Sequence, residues 1–256
     1  MLTFASDFGS PYPAAVRGVL ARQSDARLVD VAHDLPRQDV RAAAFWLRFV
    51  LPEFPPAVHL AVVDPGVGTD RDALVVRAGD HALVGPDNGL LFPAARRLAA
   101  DAGGSVDAYV ADPGDPASAT FHGRDVFAPL AAAVHRSGAA PADGIAGLDR
   151  LSPADDPVDL RLPDPSVADD VARGEVLAVD GFGNAITNLP GEVLDGRDRV
   201  RVNGTPAPVV RTFADVDPGE RLVTVGSHGN VECDVNRGRG DEAFDLAAGE
   251  RVVLRF

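Results

Sequence analysis

Apolar and polar positions in the first half of the chain switch repeatedly between two periods. Leu2–Ser6, Arg27–Ala32, Val58–Val63 and Val106–Ala111 are short aliphatic and β-branched runs, the pattern of strands buried in a sheet. Between them, residues 14–23, Asp39–Val50, Leu90–Ala102 and Asp125–Arg136 carry apolar residues at helical spacing. In Asp39–Val50, for example, Val40, Ala43, Ala44, Leu47 and Val50 share one face. Ala73–Arg77 and Ala82–Gly85 straddle Gly79-Asp80 and predict a hairpin. This alternation predicts a layered α/β N-terminal domain with a largely parallel sheet over residues 1–155.

The texture changes from about residue 137. Pro141, Pro153, Pro157, Pro163 and Pro165, set among aspartates with little periodicity, predict a linker. From residue 170 to 256 the chain reads as strands and turns only: Glu175–Val179, Arg199–Val202, Val209–Phe213, Arg221–Val225, Asn230–Val235 and Arg251–Phe256. So many short strands in so short a length predict an all-β domain, a small barrel or sandwich.

Composition narrows the setting. The 256 residues carry a net charge of −14, and all 24 basic residues are arginine. Aspartate outnumbers glutamate 31 to 7. A high-GC genome accounts for arginine in place of lysine but not for the aspartate excess. Adaptation to molar salt accommodates the acidity, because screening over about 3 Å at 1 M makes a dense acidic surface tolerable. A halophilic source is the expectation. The acidity argues against nucleic-acid binding. No apolar run is long enough to span a membrane, and the start lacks a signal-peptide pattern, so a soluble, cytoplasmic protein is expected. The single cysteine, Cys233, excludes an internal disulfide and a cysteine-based zinc site.

In α/β sheets, ligands bind beyond the carboxyl ends of the strands. Three predicted strands end there in an acidic residue followed by a glycine turn: Asp7-Phe8-Gly9, Asp64-Pro65-Gly66 and Pro86-Asp87-Asn88-Gly89. Thr120-Phe121-His122-Gly123-Arg124-Asp125 opens the last N-terminal helix. Each alone reads as a turn or cap; converging, they read as a site. Asp64, Arg71 and His122 supply a carboxylate, a guanidinium and an imidazole, enough to position and polarise a water without a metal. Asp7 can accept the hydroxyls of a ribose. There is no phosphate-binding glycine loop. In the second half, Asp180-Gly181-Phe182-Gly183-Asn184 offers an aromatic face and an amide that suit a purine, against the plainer reading of a hairpin turn.

These segments together resemble the S-adenosylmethionine hydroxide adenosyltransferases, an archaeal and bacterial group related to fluorinase and chlorinase enzymes. The resemblance runs through Ser6-Asp7-Phe8-Gly9, Val62 to Thr69 with Arg71, Gly85 to Leu90 and Thr120 to Pro129. It continues through Asp180, Phe182-Gly183-Asn184, Thr187-Asn188, Gly226-Ser227 and Asn236. It implies an α/β N-terminal domain, a C-terminal β-barrel, and a homotrimer holding its substrate between the N-terminal domain of one subunit and the C-terminal domain of the next. The implied reaction is hydrolysis of S-adenosyl-L-methionine to adenosine and L-methionine, with no cofactor and no metal. The resemblance assigns water activation to Asp64, Arg71 and His122, the ribose diol to Asp7, and the adenine side to Phe182 and Asn184. It assigns the methionine amino and carboxylate groups to Asp180 and Ser227. Halogenation on the same scaffold is the alternative enzyme reading; Asp64 and Gly123 speak against it, since the halogenating relatives carry an uncharged residue and, in the fluorinase, a serine there. The residues also admit a non-catalytic adenosine-binding module or a carboxylate-metal hydrolase. Ser10-Pro11-Tyr12 shortens a loop, and His228 replaces an arginine of the halogenating relatives.

Overall fold

Strand alternation sorts the N-terminal side chains onto the two faces of one sheet. Its strands are β1 (Leu2–Ser6), β2 (Leu28–Ala32), β3 (Val58–Val62), β4 (Ala73–Ala78), β5 (His81–Pro86), β6 (Val106–Ala111) and β7 (Leu151–Pro153). The computed structural model describes residues 1–137, 145 and 148–256. In it the strand order is β2-β1-β3-β5-β4-β6-β7. The first four of that order run parallel, and β4, β6 and β7 extend the sheet antiparallel. Val58, Leu60 and Val62 of β3 pack with α1 (Tyr12–Gln23) and α4 (Ala128–Arg136), whereas Ala61 and Val63 meet α2 (Val40–Val50) and α3 (Phe92–Ala102). That one-residue alternation is why a buried parallel strand reads as a continuous apolar run.

Local sequence sets the helix starts. Pro13, Pro93 and Pro129 occupy first turns, where a missing N–H costs nothing. The Asp39 side chain caps α2 by accepting the Ala42 N–H at 2.9 Å. Two histidines are buried within the sheet: Thr3 Oγ1 lies 2.7 Å from His59 Nδ1, and His59 Nε2 lies 2.8 Å from His81 Nδ1. Burial holds both below the ordinary imidazole range, His59 at about 3.

The chain forms two compact units, Met1–Arg161 and Leu162–Phe256. Part of the stretch read as a linker belongs to the first. Pro153 ends β7, the Val158 N–H donates to Asp87 Oδ1 at 2.8 Å, and Arg96 binds both the Asp159 carboxylate and the Leu160 carbonyl. An edge strand and backbone-to-side-chain bonds need no hydrophobic period, so the segment carries no pattern to read. Pro141 lies outside the described residues.

The second unit holds β8 (Ser166–Ala168), β9 (Val171–Val179), β10 (Ala185–Pro190), β11 (Arg199–Val202), β12 (Thr205–Pro208), β13 (Arg221–Val225), β14 (Asn230–Val235) and β15 (Arg251–Arg255). They pair antiparallel in the order β12-β11-β15-β9-β10-β14-β13, with β8 on β9. The ends of that order approach each other: Val209 bridges to Val223, and the Val210 N–H donates to the Val223 carbonyl at 3.1 Å. The sheet is a nearly closed barrel, filled by residues such as Val176, Leu189, Val231 and Leu254. β9 serves both halves of it, pairing with β15 up to Glu175 and with β10 from Val176. A Cβ on Gly174 would stand 2.1 Å from Asn188 Oδ1, so only glycine permits the strand to pass there.

The strand expected over Val209–Phe213 does not form. Thr212 and Asp215 cap each other's backbone and turn the chain at Phe213–Asp215. The sequence pattern predicts neither β10 nor β12, nor a short helix, α5 (Gly240–Phe244). In β10 the central pair Thr187-Asn188 is polar yet buried, which conceals the strand pattern.

Candidate functional site

Three of the predicted residues meet at the carboxyl ends of the parallel strands. Asp7 follows β1, Asp64 follows β3 after Val63, and His122 precedes a π-helical turn, Gly123–Phe127, that leads into α4. Such turns recur at functional sites because they re-aim side chains. Asp7, Asp64 and His122 line one cavity of about 530 Å³, together with Phe8, Tyr12 and Phe121. Both aromatics flanking Phe121 meet it edge-on, Phe8 at 5.7 Å and Tyr12 at 5.5 Å between ring centres.

Arg71 does not line that cavity but stands behind it. Its Nε donates to Asp64 Oδ1 at 2.7 Å and its Nη2 to Asp64 Oδ2, a bidentate pair. Nη2 also reaches His122 Nδ1 at 3.2 Å, and Nη1 donates to the Asp72 carbonyl at 3.2 Å. The guanidinium lies over the Phe127 ring, 4.8 Å from its centre. A smaller cavity of about 240 Å³ borders Arg71 and His122 along with Thr69, Asp72 and Pro116. A guanidinium has no lone pair to offer, so Nδ1 of His122 is the acceptor in this contact.

Asp7 is held from one side: its Oδ2 accepts the Gln38 N–H at 2.8 Å. Gln38 has φ +58°, a left-handed conformation costly for a residue with a side chain. The bond to Asp7 is what that conformation provides. Gly123 backs against Phe8, where an added Cβ would fall 2.6 Å from Cζ.

The remaining predicted residues, Asp180, Phe182, Asn184 and Ser227, line a cavity of about 860 Å³ in the second unit, with Arg211 and Phe213. The segment 180–184 is the tip of the β9–β10 hairpin, so the expected turn forms, and it forms on the rim of this cavity. Asp180 Oδ1 accepts the Phe182 and Asn184 N–H groups at 2.9 Å, and Oδ2 accepts Asn184 Nδ2 at 3.0 Å. Phe182 is left 80% exposed, with Phe213 and Val225 also exposed on the same rim. Thr187 and Asn188 are structural: Thr187 Oγ1 donates to Val231 O, and Asn188 links Glu175 N–H to the Pro163 carbonyl. His228 does not itself line the cavity; its Nε2 lies 2.8 Å from Oε1 of Glu232, which does, and its Nδ1 accepts the Asn230 N–H.

Sequence reasoning missed Arg37 on the first cavity and Arg237 and Arg239 on the second, and gave Arg124, which lines the first, no role of its own. It also missed Asp234, fully buried with no hydrogen-bond partner on either oxygen among the described residues. Burial, with Glu232 and Asp180 nearby, pushes that carboxyl up to about 8. The alternation of polar residues at Glu232 and Asp234 around Cys233 was the available signal. Among the described residues no cluster of histidine, cysteine and acidic side chains is arranged to hold a metal. No helix among them is long and apolar enough to cross a membrane.

Two family models match the chain: the SAM hydroxide adenosyltransferase N-terminal domain over residues 2–143 and the corresponding C-terminal domain over residues 174–253. A protein of Salinispora tropica named (R)-S-adenosyl-L-methionine hydrolase is 45% identical, covering 98% of this chain and 96% of its own. One of the same name from Thermus thermophilus is 44% identical, covering 98% of each. The crystal structure of an uncharacterized conserved protein from Thermotoga maritima superposes with a TM-score of 0.85 at 33% identity, over 100% of both chains. That of a conserved hypothetical protein from Thermus thermophilus does so with a TM-score of 0.75 at 40% identity, over 99% of this chain and 98% of its own.

Proposed function

The chain belongs to the SAM hydroxide adenosyltransferase family, and from that premise we propose that it hydrolyses S-adenosyl-L-methionine to adenosine and L-methionine. The names of the relatives point to the (R)-sulfonium epimer as substrate. The observation that carries the reading is the Asp64–Arg71–His122 cluster at the wall of a cavity that Asp7 shares.

The chemistry asked of it is modest. Water oxygen bonds to the ribose 5′-carbon while the C5′–S bond breaks, its electron pair returning to sulfur to give a neutral thioether. The leaving group takes no proton; water loses one. What the site must supply is alignment of water opposite the C–S bond and a place for that proton, and positioning of this kind is worth up to about 7–11 kcal/mol. Arg71 fixes Asp64 through two bonds and, by donating to Nδ1, sets the neutral His122 ring with its proton on Nε2. His122 is then a donor toward the water oxygen, and Asp64 is the acceptor of its proton. Asp7, one oxygen held by Gln38, keeps the other for the ribose diol. Phe182 and Asn184 serve the adenine. Asp180 and Ser227 serve the methionine end, Asp180 with both oxygens already engaged in its own turn.

The enzyme works without metal or cofactor, as a cytoplasmic homotrimer adapted to high salt. Exposed apolar side chains rim both cavities, Tyr12 and Val67 at the first and Phe182, Phe213 and Val225 at the second. Such surfaces call for a partner, which fits sites completed between subunits.

The test is incubation of purified protein with each sulfonium epimer in about 2 M KCl, where surface charge is screened, with a chelator arm and product detection by mass. Adenosine and methionine from the (R)-epimer are expected, unchanged by chelator. Asp64→Ala and His122→Ala are expected to lower kcat by at least about 100-fold, the scale of general acid–base and electrostatic contributions. Formation of 5′-chloro-5′-deoxyadenosine, or binding without turnover, would overturn the reading.

A further inference from the structure

The turn at residues 86–90, which matched the family pattern without receiving a role, holds both ends of the segment that carries Asp64 and Arg71. The sheet order explains how. Segment 64–72 joins β3 to β4, but β5 lies between those strands, so the segment must cross over the carboxyl end of β5. Asp87 and Asn88 emerge at that end. The Asp87 N–H donates to the Asp72 carbonyl at 2.9 Å, one residue beyond Arg71. Asn88 Nδ2 donates to the Val63 carbonyl at 2.9 Å, one residue before Asp64. Asn88 Oδ1 meanwhile accepts the Leu90 N–H at 3.2 Å, so both halves of the amide are committed and its orientation is fixed. The turn itself is anchored by Asp87 Oδ1, which accepts the Val158 N–H.

We propose that Asn88 is a positioning residue for the Asp64–Arg71 pair: it fixes the peptide that carries Asp64, and through it the direction of the carboxylate. The proposal rests on the hydrolysis reading above. Asn88 lines neither cavity beside the pair, so any effect on turnover must pass through Asp64 rather than through substrate contact.

The experiment measures kcat, KM, adenosine affinity and thermal stability for the wild type, Asn88→Ala, Asn88→Asp and Asp64→Ala. Displacing a catalytic group by about 1 Å costs up to about 100-fold, so Asn88→Ala is expected to lower kcat about 10- to 100-fold with KM and adenosine affinity within about twofold. The isosteric Asn88→Asp keeps the test open if the alanine variant fails to fold. Its protonated carboxyl can donate to Val63 and accept from Leu90 as the amide does, so its kcat relative to wild type is expected to rise as pH falls from 8 to 5. A purely structural role would lower thermal stability and leave that ratio flat. Unchanged kcat in both variants beside an inactive Asp64→Ala, or a loss confined to KM, would overturn the positioning role alone. A wild type that binds substrate without turnover would overturn the hydrolysis reading itself, and the positioning role with it.

Discussion

Two buried ionisable groups pull the stability of this protein in opposite directions along the pH scale. His59 is held at about 3 by burial, so the unfolded chain takes up its proton near pH 6.5 while the folded chain does not. Its contribution is present above pH 6.5 and is lost as pH falls toward 3, with a slope approaching about 1.4 kcal/mol per unit. His59→Gln is expected to flatten that acid limb, read as the difference in unfolding free energy from wild type between pH 7 and pH 4. Asp234, raised to about 8, acts in the other sense. Below about pH 4 the folded and unfolded forms are both protonated; as pH rises to 8 only the unfolded chain ionises, and stability is lost. Asp234→Asn should therefore raise the melting temperature by an amount that grows from pH 4 to pH 8; a constant offset would refute this. Of these features the sequence showed only the residue types. Asp64, Arg71, His122 and Asp7 were legible as candidates because acidic and glycine residues punctuate apolar runs. Arg71 stands behind the cavity through the distant His122 and Phe127 rings as well as Asp64, and Asp7 is held by the backbone of Gln38; no local pattern encodes such contacts.

Strands and helices were most legible where burial is two-sided and the residues are uniformly apolar. The N-terminal elements fall within a few residues of their expected positions for that reason. β10 escaped because Thr187 and Asn188 satisfy their polar groups inside the barrel, so a buried strand carries a polar centre. β9 began earlier than expected because Gly174 interrupts its alternation. That glycine is where the strand leaves β15 for β10, against Asn188. Gly174→Ala would drive a methyl into the amide oxygen, and a cost of about 1–3 kcal/mol is expected in thermal unfolding, the usual penalty for overpacking. Gly181→Ala, whose added methyl meets nothing within 4 Å among the described residues, is the control and should leave stability unchanged.

At the scale of the whole molecule, the two-unit plan followed from a change of texture, since helix–strand alternation gives way to short strands. The chain nevertheless passes from one compact unit to the next between Arg161 and Leu162, within a proline-rich stretch whose bonds are made by backbone and charged groups rather than by apolar period. The proposed sharing of sites between subunits makes a whole-molecule prediction. Subunits carrying Asp64→Ala and subunits carrying Asn184→Ala should each be inactive alone, yet regain activity when unfolded and refolded together. If each chain completed its own site, the mixture would stay inactive.

The crossing of segment 64–72 above β5 also has an evolutionary consequence. Asp64 and Arg71 descend from strands that are not neighbours, so their meeting is calibrated by the β4–β5 register, in which Ala73 stands opposite Pro86. A slip of one residue in that hairpin would carry Arg71 along the strand and invert its facing. Length changes at the hairpin's far tip, Gly79-Asp80, leave the calibrated end untouched, whereas one residue gained between Asp64 and Arg71 detunes it. Lineages descending from this fold should therefore accumulate insertions at the tip and almost none in the crossing, a frozen length beside an editable one.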